Sequence, residues 1–257
     1  MSAPRGPAGR GAALVTGAGR RIGQALALEA ARAGYDVAVH HRGPAEEAEE
    51  TIAAVRALGR RAAAARADLS VEAEVRRLID QAGQALGPVT LLVNSASAFQ
   101  DDRVGSLSRQ TWDLHFETNL RAPIVLAEAF AAALPDDREG LVVNIIDQRV
   151  WRPNPQFFSY TLSKAGLWWA TQTLAQALAP RARVNAIGPG PTLPSVHQAP
   201  GEFEAEAAGT LLQRRATPDE VAAALRYLID ATSVTGQMIA VDGGQHLGWR
   251  TPDIVAP

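Results

Sequence analysis

Cysteine is absent from this 257-residue chain, which excludes disulfides, thiol catalysis and thiolate metal sites. Lysine is almost absent: among 25 basic residues only Lys164 is not an arginine. In so arginine-rich a chain, one retained lysine points to a role that needs a compact ammonium rather than a planar guanidinium. Neither sign of charge prevails, since 27 acidic residues leave a formal net charge of −2. There is accordingly no general basic field to recruit nucleic acid or an anionic membrane. No apolar run approaches the ~20 residues of a membrane span. Residues 1–10 are rich in Ala, Pro, Gly and Arg but lack the apolar stretch of a secretory signal, so they read as a flexible tail on a cytoplasmic protein. What remains is 47% hydrophobic and 20% charged, the balance of an ordinary globular chain with a sizeable core.

Short aliphatic runs alternate with longer stretches of helical periodicity. The pattern predicts strands at 12–16, 36–40, 62–67, 89–94, 141–146, 183–187 and 238–241, and helices at 22–33, 45–58, 71–86, 111–134, 160–178 and 218–229. The strand at 62–67 runs against the helical preference of alanine. Such alternation means βαβ units, hence an α/β protein with a Rossmann-type doubly wound parallel sheet of about seven strands and helices on both faces. Ligands of such sheets bind outside the carboxyl ends of the strands. The elements fill residues 11–257 as a single domain. Within it, the proline-rich stretch 188–217 is long for a connection and reads as a substrate loop.

After the first strand comes Thr16-Gly17-Ala18-Gly19-Arg20-Arg21-Ile22-Gly23, then a helix. Glycines at Gly17, Gly19 and Gly23 allow a sharp turn and close approach of a pyrophosphate to the helix N-terminus. A tight structural turn would need the same glycines, but the strand before and the helix after favour the phosphate loop. The second strand ends in His40-His41-Arg42, with no carboxylate for ribose hydroxyls. Arg42, with Arg20 or Arg21, suits a 2′-phosphate instead, so NADP(H) is the expected cofactor. His40 and His41 read as packing or stacking groups. Tyr160 and Lys164 stand at i and i+4 on a predicted helix, so the ammonium should stabilise phenolate and bring the tyrosine's pKa toward working pH.

Over essentially its whole length the sequence resembles the short-chain dehydrogenase/reductase family. The resemblance is carried by the T-G-x-x-x-x-x-G loop, Asp68-Leu69, Asn94-Ser95-Ala96-Ser97, Asn119, Tyr160-x-x-x-Lys164, Pro189-Gly190 and Asp242-Gly243-Gly244. It implies that Asp68 and Leu69 border adenine and that Asn94, Ser95 and Ala96 border the cofactor. It further implies that residues 187–192, with Pro189, Gly190 and Thr192, wrap nicotinamide and diphosphate. Asn119 would position a water leading to Lys164, Lys164 would hold the nicotinamide ribose, and Tyr160 would donate the proton.

The departures from the family pattern are informative. Arg21 replaces a glycine, Ser95 replaces an asparagine, and the catalytic serine expected thirteen residues before Tyr160 is Asp147. An Arg-Arg phosphate loop, H-x-R after the second strand, N-x-A-S-x-F and Asp for Ser together resemble the pteridine reductase branch, which includes dihydromonapterin reductases. Phe99 would then sandwich a pterin ring, with Ser97 and Trp151 beside it. A ketone needs a hydroxyl donor at position 147, whereas an ionised carboxylate only accepts. A pterin's N–H and amino groups supply the donors that a carboxylate can receive.

The leading expectation is an NADPH-dependent reductase of a pterin-type C=N bond in a dihydropterin, dihydromonapterin or dihydrofolate. The alternatives are reduction of a ketone, quinone, acyl or sugar carbonyl, and a non-catalytic NADP-binding regulator. No metal is expected. The resemblance, with two long helices apolar on more than one face, implies a homotetramer. His246 and Trp249 belong to a C-terminal tail expected to cover a pocket in its own or a neighbouring subunit.

Overall fold

The computed structural model describes residues 10–249; the tail at 1–9 and the end of the chain from 250 lie outside the described residues. Seven parallel strands form one sheet in the order β3-β2-β1-β4-β5-β6-β7. They are β1 Ala12–Val15, β2 Asp36–His41, β3 Ala62–Arg66, β4 Val89–Asn94, β5 Gly140–Ile145, β6 Ala182–Pro189 and β7 Met238–Val241. β1, β2, β4 and β5 are buried along their whole length, so their apolar residues run consecutively (residues 12–15, 37–39, 91–93 and 141–143) rather than alternating.

Both faces of the sheet are covered. Successive residues of β1 serve opposite layers, Ala13 and Val15 one core and Ala12 and Leu14 the other. The first layer holds Leu26, Ala27 and Ala30 of α1 (Arg21–Arg32), Ala48 and Val55 of α2 (Glu46–Ala57), and Val221, Ala224, Leu225, Leu228 and Ile229 of the later helix Pro218–Asp230. The second holds α3 (Glu72–Val75) and α4 (Leu78–Leu86) with Leu126 and Phe130 of a helix at Ala122–Ala133. Full burial of such a leucine or phenylalanine contributes about 1.5–3 kcal/mol.

Two predicted helices are interrupted. The one at 71–86 divides into α3 and α4. The one at 111–134 becomes α5 (Arg109–Phe116), a π turn at Glu117–Arg121 and α6 (Ala122–Ala133). α7 (Phe158–Leu178) follows β5. The loop at 188–217 contains a helix that its proline content concealed, α8 (Glu202–Ala208). α9 (Pro218–Asp230) starts with a reciprocal capping box between Thr217 and Glu220. The strand order reverses at β1, and the crevice between the carboxyl ends of β1 and β4 faces this loop. Among the described residues no helix is long and apolar enough to cross a membrane.

Candidate active site

A cleft of about 990 Å³ opens along the carboxyl edge of the sheet. Its outer end is shaped by the turn after β1. A side chain at Gly17 would stand 2.9 Å from Ala96 Cα, one at Gly19 2.3 Å from Glu47 O, and one at Gly23 2.1 Å from Gly17 O. Only glycine lets these backbones approach so closely. Arg20 at the head of α1 gives no side-chain cap, and the first turn has no acidic residue, which leaves its N–H groups for an anion. The cradle therefore fits a dinucleotide's pyrophosphate.

Two buried side chains brace this turn. Thr16 Oγ1 accepts the N–H groups of Ser95 (2.9 Å) and Ala96 (3.0 Å), tying it to the loop after β4. His40 Nδ1 accepts Gly17 N–H at 3.0 Å, and its Nε2 donates to Ala67 O at 3.1 Å. That pair of bonds fits one neutral tautomer, and burial lowers the His40 pKa to about 4. The packing role read for His40 is thus a hydrogen-bonding one.

Arg20, His41, Arg42, Asp68 and Leu69 line the outer end of the cleft, as do Glu46, Glu47 and Glu50, which sequence spacing does not single out. Asp68 accepts Ser70 N–H (2.9 Å) and Ser70 O–H (2.7 Å), which, with Arg42 nearby, hold its carboxyl below the usual range. Arg21 does something else. Its backbone is left-handed at φ 57°, the conformation that explains a glycine at this position. Its guanidinium donates to Pro194 O (3.1 Å) and Leu193 O (3.4 Å), fastening the loop after β6 to the phosphate turn. Arg20, Arg21 and Arg42 all line the cleft, and of the three only Arg21 is bonded to this loop.

At the inner end, Asp147 and Tyr160 meet. Tyr160 O–H donates to Asp147 Oδ2 at 2.9 Å, and Arg149 N–H donates to Asp147 Oδ1 at 2.8 Å. Burial raises the Asp147 pKa. Burial, then the facing carboxylate, raises Tyr160 well above its ordinary value. Lys164 donates to Ile145 O at 2.9 Å, its Nζ lies 5.8 Å from the Tyr160 ring centroid, and burial lowers its pKa to about 8. The lowering of Tyr160 expected from the lysine is overridden, first by burial and then by the facing carboxylate. Phe99 stacks on Phe157 at 4.2 Å and meets Tyr160 edge-on at 4.7 Å, forming an aromatic wall. Ser95, Ala96, Ser97, Ile22, Pro189, Gly190 and Thr192 line the same cleft.

Three expected residues do not line it. Asn94 donates to Asn144 at 2.8 Å beneath the cleft floor, because the last residue of β4 turns its side chain toward β5. Asn119 is buried in the π turn, bonding both the N–H (2.7 Å) and C=O (2.9 Å) of Ala98. Trp151 packs against Trp168 and His246 at ring distances of 6.1 and 5.0 Å, away from the cleft. His246 is held by Asp242 at 2.6 Å, so of residues 245–249 only Gln245 reaches the cleft wall. Conversely, Gln148, Arg149, Phe157 and Glu206 line it unforeseen. Nearness in sequence to Asp147 and Tyr160 was the one signal available for the first three.

A glycine cradle at the sheet's switch point, joined to a carboxylate and a buried tyrosine and lysine, defines a nucleotide-dependent oxidoreductase of the doubly wound class. A family model described as Enoyl-(Acyl carrier protein) reductase matches residues 17–246. The 3-oxoacyl-[acyl-carrier-protein] reductase FabG of Staphylococcus epidermidis is 30% identical over 240 residues, which cover 91% of this chain and 98% of its own. The chain belongs to the short-chain dehydrogenase/reductase family. Among solved structures, FolM alternative dihydrofolate reductase 1 from Brucella suis, in complex with NADP, is 53% identical with a TM-score of 0.90, covering 95% of this chain and 98% of that one. A short chain dehydrogenase from Burkholderia cenocepacia, also in complex with NADP, is 34% identical with a TM-score of 0.86, covering 92% and 98%.

Proposed function

We propose that this oxidoreductase uses NADPH to reduce a pterin-type C=N bond, in a dihydropterin, dihydromonapterin or dihydrofolate. The observation that carries the reading is the half-buried Asp147 carboxylate accepting the Tyr160 hydroxyl at 2.9 Å. A carbonyl reductase needs a donor at this position to meet a developing alkoxide, and an ionised carboxylate would repel one. Toward a pterin the same group receives ring N–H or amino donors. The FolM relative at 53% identity supports the reading, and so does the Phe99 wall beside Tyr160.

NADPH, when bound, supplies the hydride. The glycine cradle and the free N–H groups of α1 hold its diphosphate, Arg42 and Arg20 meet its 2′-phosphate, and Lys164 meets the nicotinamide ribose. Asp147 orients the substrate and, when protonated, shares with Tyr160 the proton that must reach the ring nitrogen. Phe99 holds the flat substrate in place, with Ser97 at its edge, while Asn119 keeps the Ala98–Phe99 backbone fixed.

The carbonyl alternative is favoured by the ketoacyl reductase among the relatives. NADPH consumption with a panel of dihydropterins, dihydrofolate, simple ketones and a 3-oxoacyl thioester separates the two readings. A homotetramer is part of the same proposal, supported by Trp169 on α7, which leaves 67% of its surface exposed; sedimentation at micromolar concentration reads it.

A further inference from the structure

The two chain segments beside the reaction pocket meet as a ladder. Along α5 and the π turn, His115 and Asn119 stand four residues apart, as Ser159 and Ser163 do on α7, so each pair shares a face. His115 Nδ1 lies 2.7 Å from Ser159 Oγ, and Asn119 Nδ2 donates to Ser163 Oγ at 3.1 Å. All four side chains are fully buried. The stretch after β4 docks on these rungs. Ala98 bonds Asn119 on one rung, and Gln100 N–H donates to His115 Nε2 at 3.0 Å on the other. Phe99 lies between the two docked residues, its ring against Phe157 and Tyr160. Asp102 closes the ladder by accepting Ser159 N–H at 3.0 Å and Ser159 O–H.

The first rung permits one arrangement of protons. Gln100 N–H can only donate, so His115 Nε2 carries no hydrogen. The neutral ring then has its proton on Nδ1 and gives it to Ser159 Oγ, which in turn donates to Asp102. Burial disfavours the imidazolium, which would set an N–H against the Gln100 N–H.

We propose that His115 is a positioning residue for the substrate: with Ser159 and Asp102 it fixes the backbone on either side of Phe99 and so sets the aromatic wall against Tyr160. This rests on the reading of Phe99 as the substrate wall and adds the buried side chains that place it. A merely structural histidine would change stability alone, whereas a positioning one changes how well substrate is held.

The test compares His115→Asn, His115→Gln and Ser159→Ala in the full-length protein, with a dihydropterin and a 3-oxoacyl thioester as probes. Asparagine reaches Ser159 but not the Gln100 amide. His115→Asn should raise KM for the dihydropterin about tenfold, hold kcat within about threefold and leave NADPH affinity unchanged. His115→Gln places an amide oxygen at the reach of Nε2 and should recover most of the loss, while Ser159→Ala should repeat the KM defect. Selective ¹⁵N labelling of histidine should show the parent His115 neutral and protonated on Nδ1. The proposal is overturned if kcat falls at unchanged KM, if the two amide variants behave alike, or if Nε2 carries the proton. Should His115→Asn fail to fold, the contrast between His115→Gln and Ser159→Ala decides. If the parent turns over only the thioester, the pterin reading fails while the same KM split with the thioester still judges His115.

Discussion

Replacing Asp147 by serine isolates the group that distinguishes a C=N reductase from a carbonyl reductase. The substitution removes the oxygen 2.9 Å from the Tyr160 hydroxyl and the one 2.8 Å from Arg149 N–H. It also removes the charge that helps hold Tyr160 protonated. A proton-transfer group contributes about 10²–10⁴-fold, or roughly 3–5 kcal/mol of barrier. Steady-state NADPH oxidation should therefore show dihydropterin kcat/KM for Asp147→Ser lower by about that factor. NADPH affinity, read by fluorescence titration, should stay the same because the cradle is untouched. Activity on a carbonyl probe should hold or rise, since serine restores a hydroxyl donor. Tyr160→Phe should damage both activities, because either reaction takes its proton. Dihydropterin turnover within about threefold of the parent in Asp147→Ser would refute the reasoning.

Three further outcomes are expected. Arg42→Ala should weaken NADPH selectively, by about 10- to 100-fold for a lost phosphate contact, and equal affinity of the parent for NADH and NADPH would contradict the assignment. The kcat/KM profile should fall above about pH 8, because Lys164 is protonated below its lowered pKa and loses its ammonium above it; a flat profile to about pH 10 would contradict this. His40 has a folded-state pKa near 4 against 6.5 unfolded, so its stabilising contribution is complete above pH 6.5 and disappears as the pH falls through about 4. Urea unfolding should show the parent losing about 3 kcal/mol more than His40→Asn across that window, and parallel pH profiles would count against it.

Much of this arrangement is legible in the sequence because it rests on short-range chemistry. The strand–turn–helix around Gly17–Gly23 and the i, i+4 pair Tyr160 and Lys164 need only local spacing. The Ala62–Arg66 strand forms despite alanine's helical preference because β2 offers it a parallel partner at the sheet edge. The π turn is different: it makes one continuous helical pattern bulge so that Asn119 faces Ala98, and hydrophobic periodicity does not register it. His40 and His115 were missed as hydrogen-bonding groups since their partners lie 23 and 44 residues away. Arg20 and Arg21 are equal candidates for a phosphate contact by charge alone, whereas the left-handed backbone of Arg21 and the loop carbonyls it meets are not visible in the sequence. Trp151 follows Asp147 closely, yet the intervening 3₁₀ turn at Gln148–Val150 carries it away from the cleft toward Trp168.

The most direct measurement uses NADPH carrying deuterium on its transferable carbon, incubated with the protein, a dihydropterin and a 3-oxoacyl thioester in equal amounts, followed by mass spectrometry of both products. The account predicts deuterium on a carbon of the tetrahydropterin and little or none in the hydroxyacyl product. Deuterium confined to the hydroxyacyl product, with the dihydropterin recovered unchanged, would contradict it.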